Sequence, residues 1–188
     1  FRKDKVTTPP DSWAVFHDAA LKGKLTQMDD MRDAIGAWLK FRGKSLNSKD
    51  PAELAQAKTD ALMAKPNLKA YISAPVKASL VAGDVWVAQL WNGDTIQAKA
   101  ENENIEFAVP KEGAAIWADS MVIPKGAKNV RAAHEFLNYT LRAEVAAAIS
   151  TETGYGSPNA AGSAKMEAPV PFPTDEQVRA VYEHGYTE

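Results

Sequence analysis

Between Asp29 and Val109 the chain alternates short apolar runs with capped amphipathic stretches, and this alternation constrains the fold more than any other feature of the sequence. Asp29-Asp30-Met31-Arg32-Asp33 leads into a stripe of Met31, Ile35, Trp38 and Arg42 at helical spacing, and Gly43 stops it. Asp50-Pro51-Ala52-Glu53 sets an N-cap carboxylate, a proline at the first helical position and a capping-box glutamate in register; Leu54, Ala57, Ala61 and Leu62 then form one face. Leu68 to Ile72 reads as a strand, Ala74 to Ala82 as a short helix closed by Gly83, and Val85 to Trp91 as a buried strand. Asn92-Gly93 turns the chain into a helix near Asp94 to Ala100. The class predicted is α/β, with both faces of a mixed or mostly parallel sheet covered by helices.

After Ala100 the spacing predicts a strand over Ile105 to Val109, a turn at Pro110-Lys111-Glu112-Gly113, and a second extended segment from Ala115 to Ile123 that Pro124 ends. A helix follows from Asn129, with Val130, Ala133, Phe136, Leu137 and Leu141 on its inner side, and another covers Ala143 to Thr151. Pro169 to Pro173 reads as extended, and Thr174-Asp175-Glu176-Gln177 as a capping box opening a last helix. The helices between Asn129 and Ser150 have no strand of their own to cover, so their apolar faces are predicted to pack on something else.

Composition removes several function classes. The 188 residues suffice for one large domain or two small ones, and 22 Lys+Arg against 24 Asp+Glu leave no basic excess for nucleic acid or an anionic membrane. With no cysteine there are no disulfides, thiolate metal sites or cysteine nucleophiles. The longest apolar runs, such as Val85-Trp86-Val87-Ala88, fall far short of the ~20 residues of a membrane helix. Phe1-Arg2-Lys3-Asp4-Lys5 carries charges with no apolar core behind it, so no signal peptide is legible. His134-Glu135 begins a zincin-like pattern, but Asn138 stands where the second imidazole must sit. Gly154 and Gly156 lack the remaining glycine and the strand-to-helix junction of a phosphate loop. No catalytic residue, metal site or cofactor is proposed by the residues, and no reaction follows from them.

What remains is a set of acids and aromatics at element ends. Asp30 and Asp33 lie one turn apart at a helix start, Trp91 ends a strand at a turn, Trp117 and Asp119 are two apart on an extended segment, and Tyr155 stands between two glycines. Taken alone, Asp30 reads equally as a helix cap and Asp33 as a partner of the helix dipole. Both tryptophans read as partly buried packing residues and Tyr155 as a loop aromatic, whereas Asp119 beside an apolar run needs a partner or water. Trp13, Trp38 and Trp86 are assigned to packing.

The runs Trp91-Asn92-Gly93, Val109-Pro110-Lys111-Glu112-Gly113, Trp117-Ala118-Asp119-Ser120 with Ile123-Pro124, and Gly154-Tyr155-x-x-Pro158-Asn159 resemble, in order and spacing, the spermidine/putrescine-binding proteins of bacterial ABC importers. The resemblance extends from Ser12-Trp13 to about Asn159. It implies a periplasmic-binding-protein-like fold of type II, with two α/β lobes that close on a linear polyamine. It also implies roles: Asp30 and Asp33 hold ammonium groups, Trp91 and Trp117 flank the aliphatic chain, Asp119 pairs with an amine, and Tyr155 adds a cleft aromatic. Asp33 is shorter than the glutamate common there, which would retune the spacing between amine sites. A polyamine needs carboxylates at intervals with apolar faces between them, and these residue types supply both.

The resemblance further implies a hinge strand over residues 1–9, a second lobe over 10–112, a second hinge strand over 113–119, a helical segment of the first lobe over 120–159, and a return to the second lobe over 160–188. The expected chain is the C-terminal portion of a periplasmic receptor lacking most of the first lobe. Its expected partners are a polyamine and an inner-membrane ABC permease, with no nucleic acid, and the unpaired helices pair with another chain or a missing N-terminal lobe fragment. Two alternatives stand beside this reading: a related protein for another cationic amine, and a truncated lobe with little autonomous binding that acts as an assembly module.

Overall fold

The computed structural model describes residues 1–168, Val170 and the backbone of Tyr182–His184. All of the proline-rich patch but Val170, and the Thr174 capping box, lie outside the described residues. The chain divides into two compact units, one built on Phe1–Trp117 together with the strand at Tyr182–His184, the other on Ala118–Phe172.

The first unit is organised by a parallel three-stranded sheet, β1 (Leu25–Gln27), β2 (Leu68–Tyr71) and β3 (Val87–Ala88), in the order β2-β1-β3. Central β1 is wholly buried although two of its three residues are polar. Two helices link β1 to β2. Helix α1 (Met31–Phe41) is capped by Asp30, and α2 (Pro51–Ala64) by Asp50 with Pro51 in its first turn. The capping-box partner predicted at Glu53 goes elsewhere: its carboxylate accepts from the Ser48 hydroxyl at 2.6 Å and pairs with Lys44 at 2.9 Å. Leu54 and Leu62, predicted on the inner face of α2, are largely exposed; Ala57, Asp60 and Ala64 face inward. These small residues let α1 approach closely, and Arg42 at the end of α1 grips the buried Asp60 with two hydrogen bonds of 2.7 and 2.6 Å.

Trp38 anchors the core. It is completely buried, stacks on His17 with ring centroids 4.8 Å apart, and meets Phe16 and Phe41 edge-on at 6.4 and 5.8 Å. A second core of Leu80, Val85, Ala98 and Ile105 lies between α3 (Val76–Ala82) and α4 (Asn92–Glu101). Gly83 ends α3 at φ 81°, a left-handed conformation that favours glycine. Arg2 then covers the freed carbonyls of Leu80 and Val81 at 2.9 and 3.0 Å.

Two predicted strands are shorter in the structure and a third does not form. The run from Val85 to Trp91 forms a ladder only at Val87–Ala88. Ile105 to Val109 forms no strand; Arg2 and Ile105 make a single antiparallel bridge, because residues 1–3 bond to residues 104–106 there. The segment from Ala115 to Ile123 is extended in a ladder only at β4 (Ala114–Ile116), which pairs in parallel with β5 (Tyr182–His184).

The second unit holds α5 (Val130–Thr140), α6 (Ala143–Thr153) and the short α7 (Ala160–Ser163), with no strand among its described residues. Helices α6 and α7 meet through small residues, with Ala146, Ala147 and Gly162 buried. Val130, Phe136 and Leu141, predicted on the inner side of α5, are 44%, 60% and 64% exposed. Their apolar pattern is genuine, but among the described residues these three side chains stay exposed, while Ala133 and Leu137 on the same predicted face are partly buried.

Candidate functional site

The site begins where Asp30 converts extended backbone into helix. Its Oδ1 accepts from the Arg32 N–H at 2.8 Å and the Asp33 N–H at 3.1 Å, satisfying two amides that the first turn leaves open. Asp30 is thus a helix cap, and the cap holds its carboxylate beside the first turn. Asp33 follows one turn later and is half-buried. Burial pushes its carboxyl above the usual carboxylate range and the neighbouring Asp30 charge adds to this, while hydrogen bonding from the Trp91 side chain pulls the other way.

Trp91 lies three residues beyond β3, at the start of α4. It sits in extended conformation ahead of α4, and its carbonyl accepts both the Thr95 N–H at 3.1 Å and the Thr95 hydroxyl at 3.0 Å. Trp117, directly after β4, meets Trp91 edge to face, with ring centroids 6.5 Å apart at 63°. The approach to β4 is fixed from the N-terminal segment. The Trp13 indole donates to the Gly113 carbonyl at 2.9 Å, the Ser12 hydroxyl donates to Glu112, and the Lys111 N–H donates to the Asp11 carbonyl at 2.8 Å.

The first unit therefore gathers four of the six predicted site residues: Asp30, Asp33, Trp91 and Trp117. Two carboxylates one helical turn apart beside two indole rings suit an ammonium group carried on an aliphatic chain; an anion would meet repulsion. A mainly apolar cavity of about 250 Å³ adjoins Asp30, walled by Met28, Ala34, Ile35, Trp38, Ala61 and Tyr71; Asp33, Trp91 and Trp117 do not line it.

The other two predicted residues belong to the second unit. Asp119 is exposed and lies beyond the end of β4, so the strand alternation that pairs it with Trp117 in the sequence does not persist. Tyr155 is half-buried and follows Gly154, which ends α6 at φ 73° with its N–H bonded to the Ser150 carbonyl at 2.9 Å. Among the described residues no group of three or more His, Cys, Asp or Glu side chains is placed to hold a metal ion.

Sequence reasoning missed Gln27 and Gln89. Gln27 is fully buried at the end of β1, and its Oε1 accepts from the Trp38 indole at 3.3 Å. Gln89, just beyond β3, donates from Nε2 to the Asp33 carbonyl at 2.9 Å. A polar residue at the end of a buried strand was the available signal for each.

Comparison with known proteins follows the same direction. The model of the bacterial extracellular solute-binding protein family matches residues 1–180. The chain is 37% identical over 168 residues to the putrescine/cadaverine-binding protein of Pseudomonas aeruginosa, covering 84% of this chain and 48% of that one. It is 34% identical over 150 residues to the spermidine/putrescine-binding periplasmic protein of Escherichia coli, covering 80% and 43%. Among solved structures, the spermidine/putrescine ABC transporter substrate-binding protein PotD of Streptococcus pneumoniae superposes with a TM-score of 0.82 at 28% identity, covering 100% of this chain and 60% of that one. The chain spans about half the length of these two relatives. On the family match over nearly its whole length, the chain belongs to the bacterial extracellular solute-binding proteins.

Proposed function

We propose that the chain is the polyamine-binding portion of a periplasmic receptor that hands a putrescine- or spermidine-like cation to an ABC permease. The observation that carries this reading is the convergence of Asp33, Trp91 and Trp117 beside the capped first turn of α1. Charge-assisted hydrogen bonds to the acids contribute about 1.5–3 kcal/mol each, and cation-π contacts about 0.5–2 kcal/mol. The names of the relatives in Pseudomonas aeruginosa and Escherichia coli support the ligand class. Asp119 and Tyr155 complete the ligand contacts from the second unit in this reading, by cleft closure between two lobes. Catalysis has no part in it.

The lobe assignment belongs to the same proposal. Residues 10–112 and 160–188 form the second lobe, 1–9 and 113–119 the crossing strands, and 120–159 a helical segment of the first lobe. The exposed apolar side chains of this segment support it, since first-lobe sequence or another chain would cover Val130, Phe136 and Leu141. Calorimetric titration with putrescine, cadaverine and spermidine tests the function. Saturable heat with a linear polyamine is expected; absence of heat at millimolar ligand, or a preference for an unrelated amine, would overturn it.

A further inference from the structure

Three side chains form a hydrogen-bonded chain from the core to the acid site. The Trp38 indole donates to Gln27 Oε1 at 3.3 Å, Gln27 Nε2 donates to Gln89 Oε1 at 3.4 Å, and Gln89 Nε2 donates to the Asp33 carbonyl at 2.9 Å. Its two ends fix its direction. An indole nitrogen can only donate and a backbone carbonyl can only accept, so both glutamines must present oxygen toward Trp38 and nitrogen toward Asp33. The start of the chain is rigid because Trp38 and Gln27 are completely buried. Gln89 is held by its backbone as well, its N–H donating to the Thr26 carbonyl at 2.9 Å. The Asp33 carbonyl has a second lone pair, so it can take this bond in addition to its helical one.

From this geometry we infer that Gln89 is a positioning residue for ligand binding: it pins the first turn of α1 to the end of β3 and thereby sets the Asp33 carboxylate against the Trp91 indole. Residues 89 and 91 lie on the short connection between β3 and α4 and hold Asp33 through two groups, Gln89 through the main chain and Trp91 through the side chain. The inference rests on the reading of Asp33 as a ligand carboxylate.

The test uses Gln89→Leu and Gln89→Glu in the full chain, with two readouts. The first is putrescine affinity by calorimetry across an acidic to neutral pH series, expressed at each pH as a ratio to the unsubstituted protein. Gln89→Leu is expected to weaken binding about tenfold, which matches the net contribution of one hydrogen bond. Gln89→Glu turns an acceptor toward the Asp33 carbonyl when ionised and restores a donor when protonated. Its deficit should therefore be larger near neutrality and shrink toward acid, over and above the pH dependence that a moved Asp33 titration gives Gln89→Leu. The second readout is the titration of the Asp33 carboxyl by carbon-detected NMR without ligand, which is expected to move in Gln89→Leu. If the unsubstituted protein binds no polyamine, the ligand reading fails and the NMR titration alone decides the positioning role. Affinity within twofold of the unsubstituted protein in Gln89→Leu, with an unmoved Asp33 titration, overturns the inference. Should Gln89→Leu fail to fold, a pH-independent ratio for Gln89→Glu overturns it equally.

Discussion

Replacing Asp33 by asparagine keeps the shape of the side chain and removes the charge that ligand binding would use. A charge-assisted hydrogen bond to an ammonium contributes about 1.5–3 kcal/mol. The Coulomb attraction of two charges ~4 Å apart at an effective dielectric of about 20 is about 4 kcal/mol. Two features reduce the net gain: Asp33 already accepts hydrogen bonding from Trp91, and it remains half open to water. The expected loss on Asp33→Asn is about 2–3 kcal/mol, or roughly 30- to 150-fold in Kd for putrescine. Proton linkage supplies a second signature. Burial and the Asp30 charge raise the Asp33 carboxyl in the unliganded protein. Its contribution to stability is therefore fully present below the ordinary carboxyl value near pH 4 and is lost as pH rises through the raised value. A bound ammonium draws the carboxyl back down, so binding in that window releases protons and affinity increases with pH. Calorimetry in two buffers of different ionisation enthalpy measures the release, which should vanish in Asp33→Asn. A variant within threefold of the original protein, or proton release that persists in it, would refute the reasoning.

Trp117→Ala removes one of the paired indoles and is expected to weaken putrescine binding by about 1–2 kcal/mol, with Trp117→Phe recovering most of it; fluorescence or calorimetric titration measures both. Asp60→Ala deletes two bonds from Arg42 to a carboxylate only 1% exposed, and urea unfolding should show a loss of about 2–3 kcal/mol. Gly162→Ala would put a Cβ 2.8 Å from that of Ala146 and 3.2 Å from the Ala143 carbonyl oxygen. The expected destabilisation of the α6–α7 contact is about 1–3 kcal/mol, and faster hydrogen exchange confined to those helices reports it.

Local signals in the sequence led to local structure. The Asp50-Pro51 start of α2, the glycine after α3 and the burial of Trp38 each depend on residues within one or two turns, and each appears in the structure. The central strand was not legible for the converse reason. Leu25-Thr26-Gln27 has one apolar residue, and its burial depends on α1 and on the flanking strands. Gln27 is satisfied by Trp38 and Gln89, whereas Thr26 Oγ1 has no hydrogen-bond partner among the described residues. The α5 stripe was legible as amphipathic, yet a periodic pattern cannot reveal whether the covering surface is present. At the site, Asp30 and Asp33 were visible as a pair on one helical turn. The Gln89 bond to Asp33 joins residues 56 apart in sequence, and no spacing rule reaches that far.

The central claim is that the acid and indole cluster of the first unit holds the ammonium and chain of a linear polyamine. A crystal structure of the protein with putrescine tests it most directly. The account predicts an ammonium nitrogen within about 3 Å of an Asp33 carboxylate oxygen and methylene carbons against the Trp91 and Trp117 rings. Putrescine bound elsewhere, with Asp33 contacting only Trp91 and water, would contradict it.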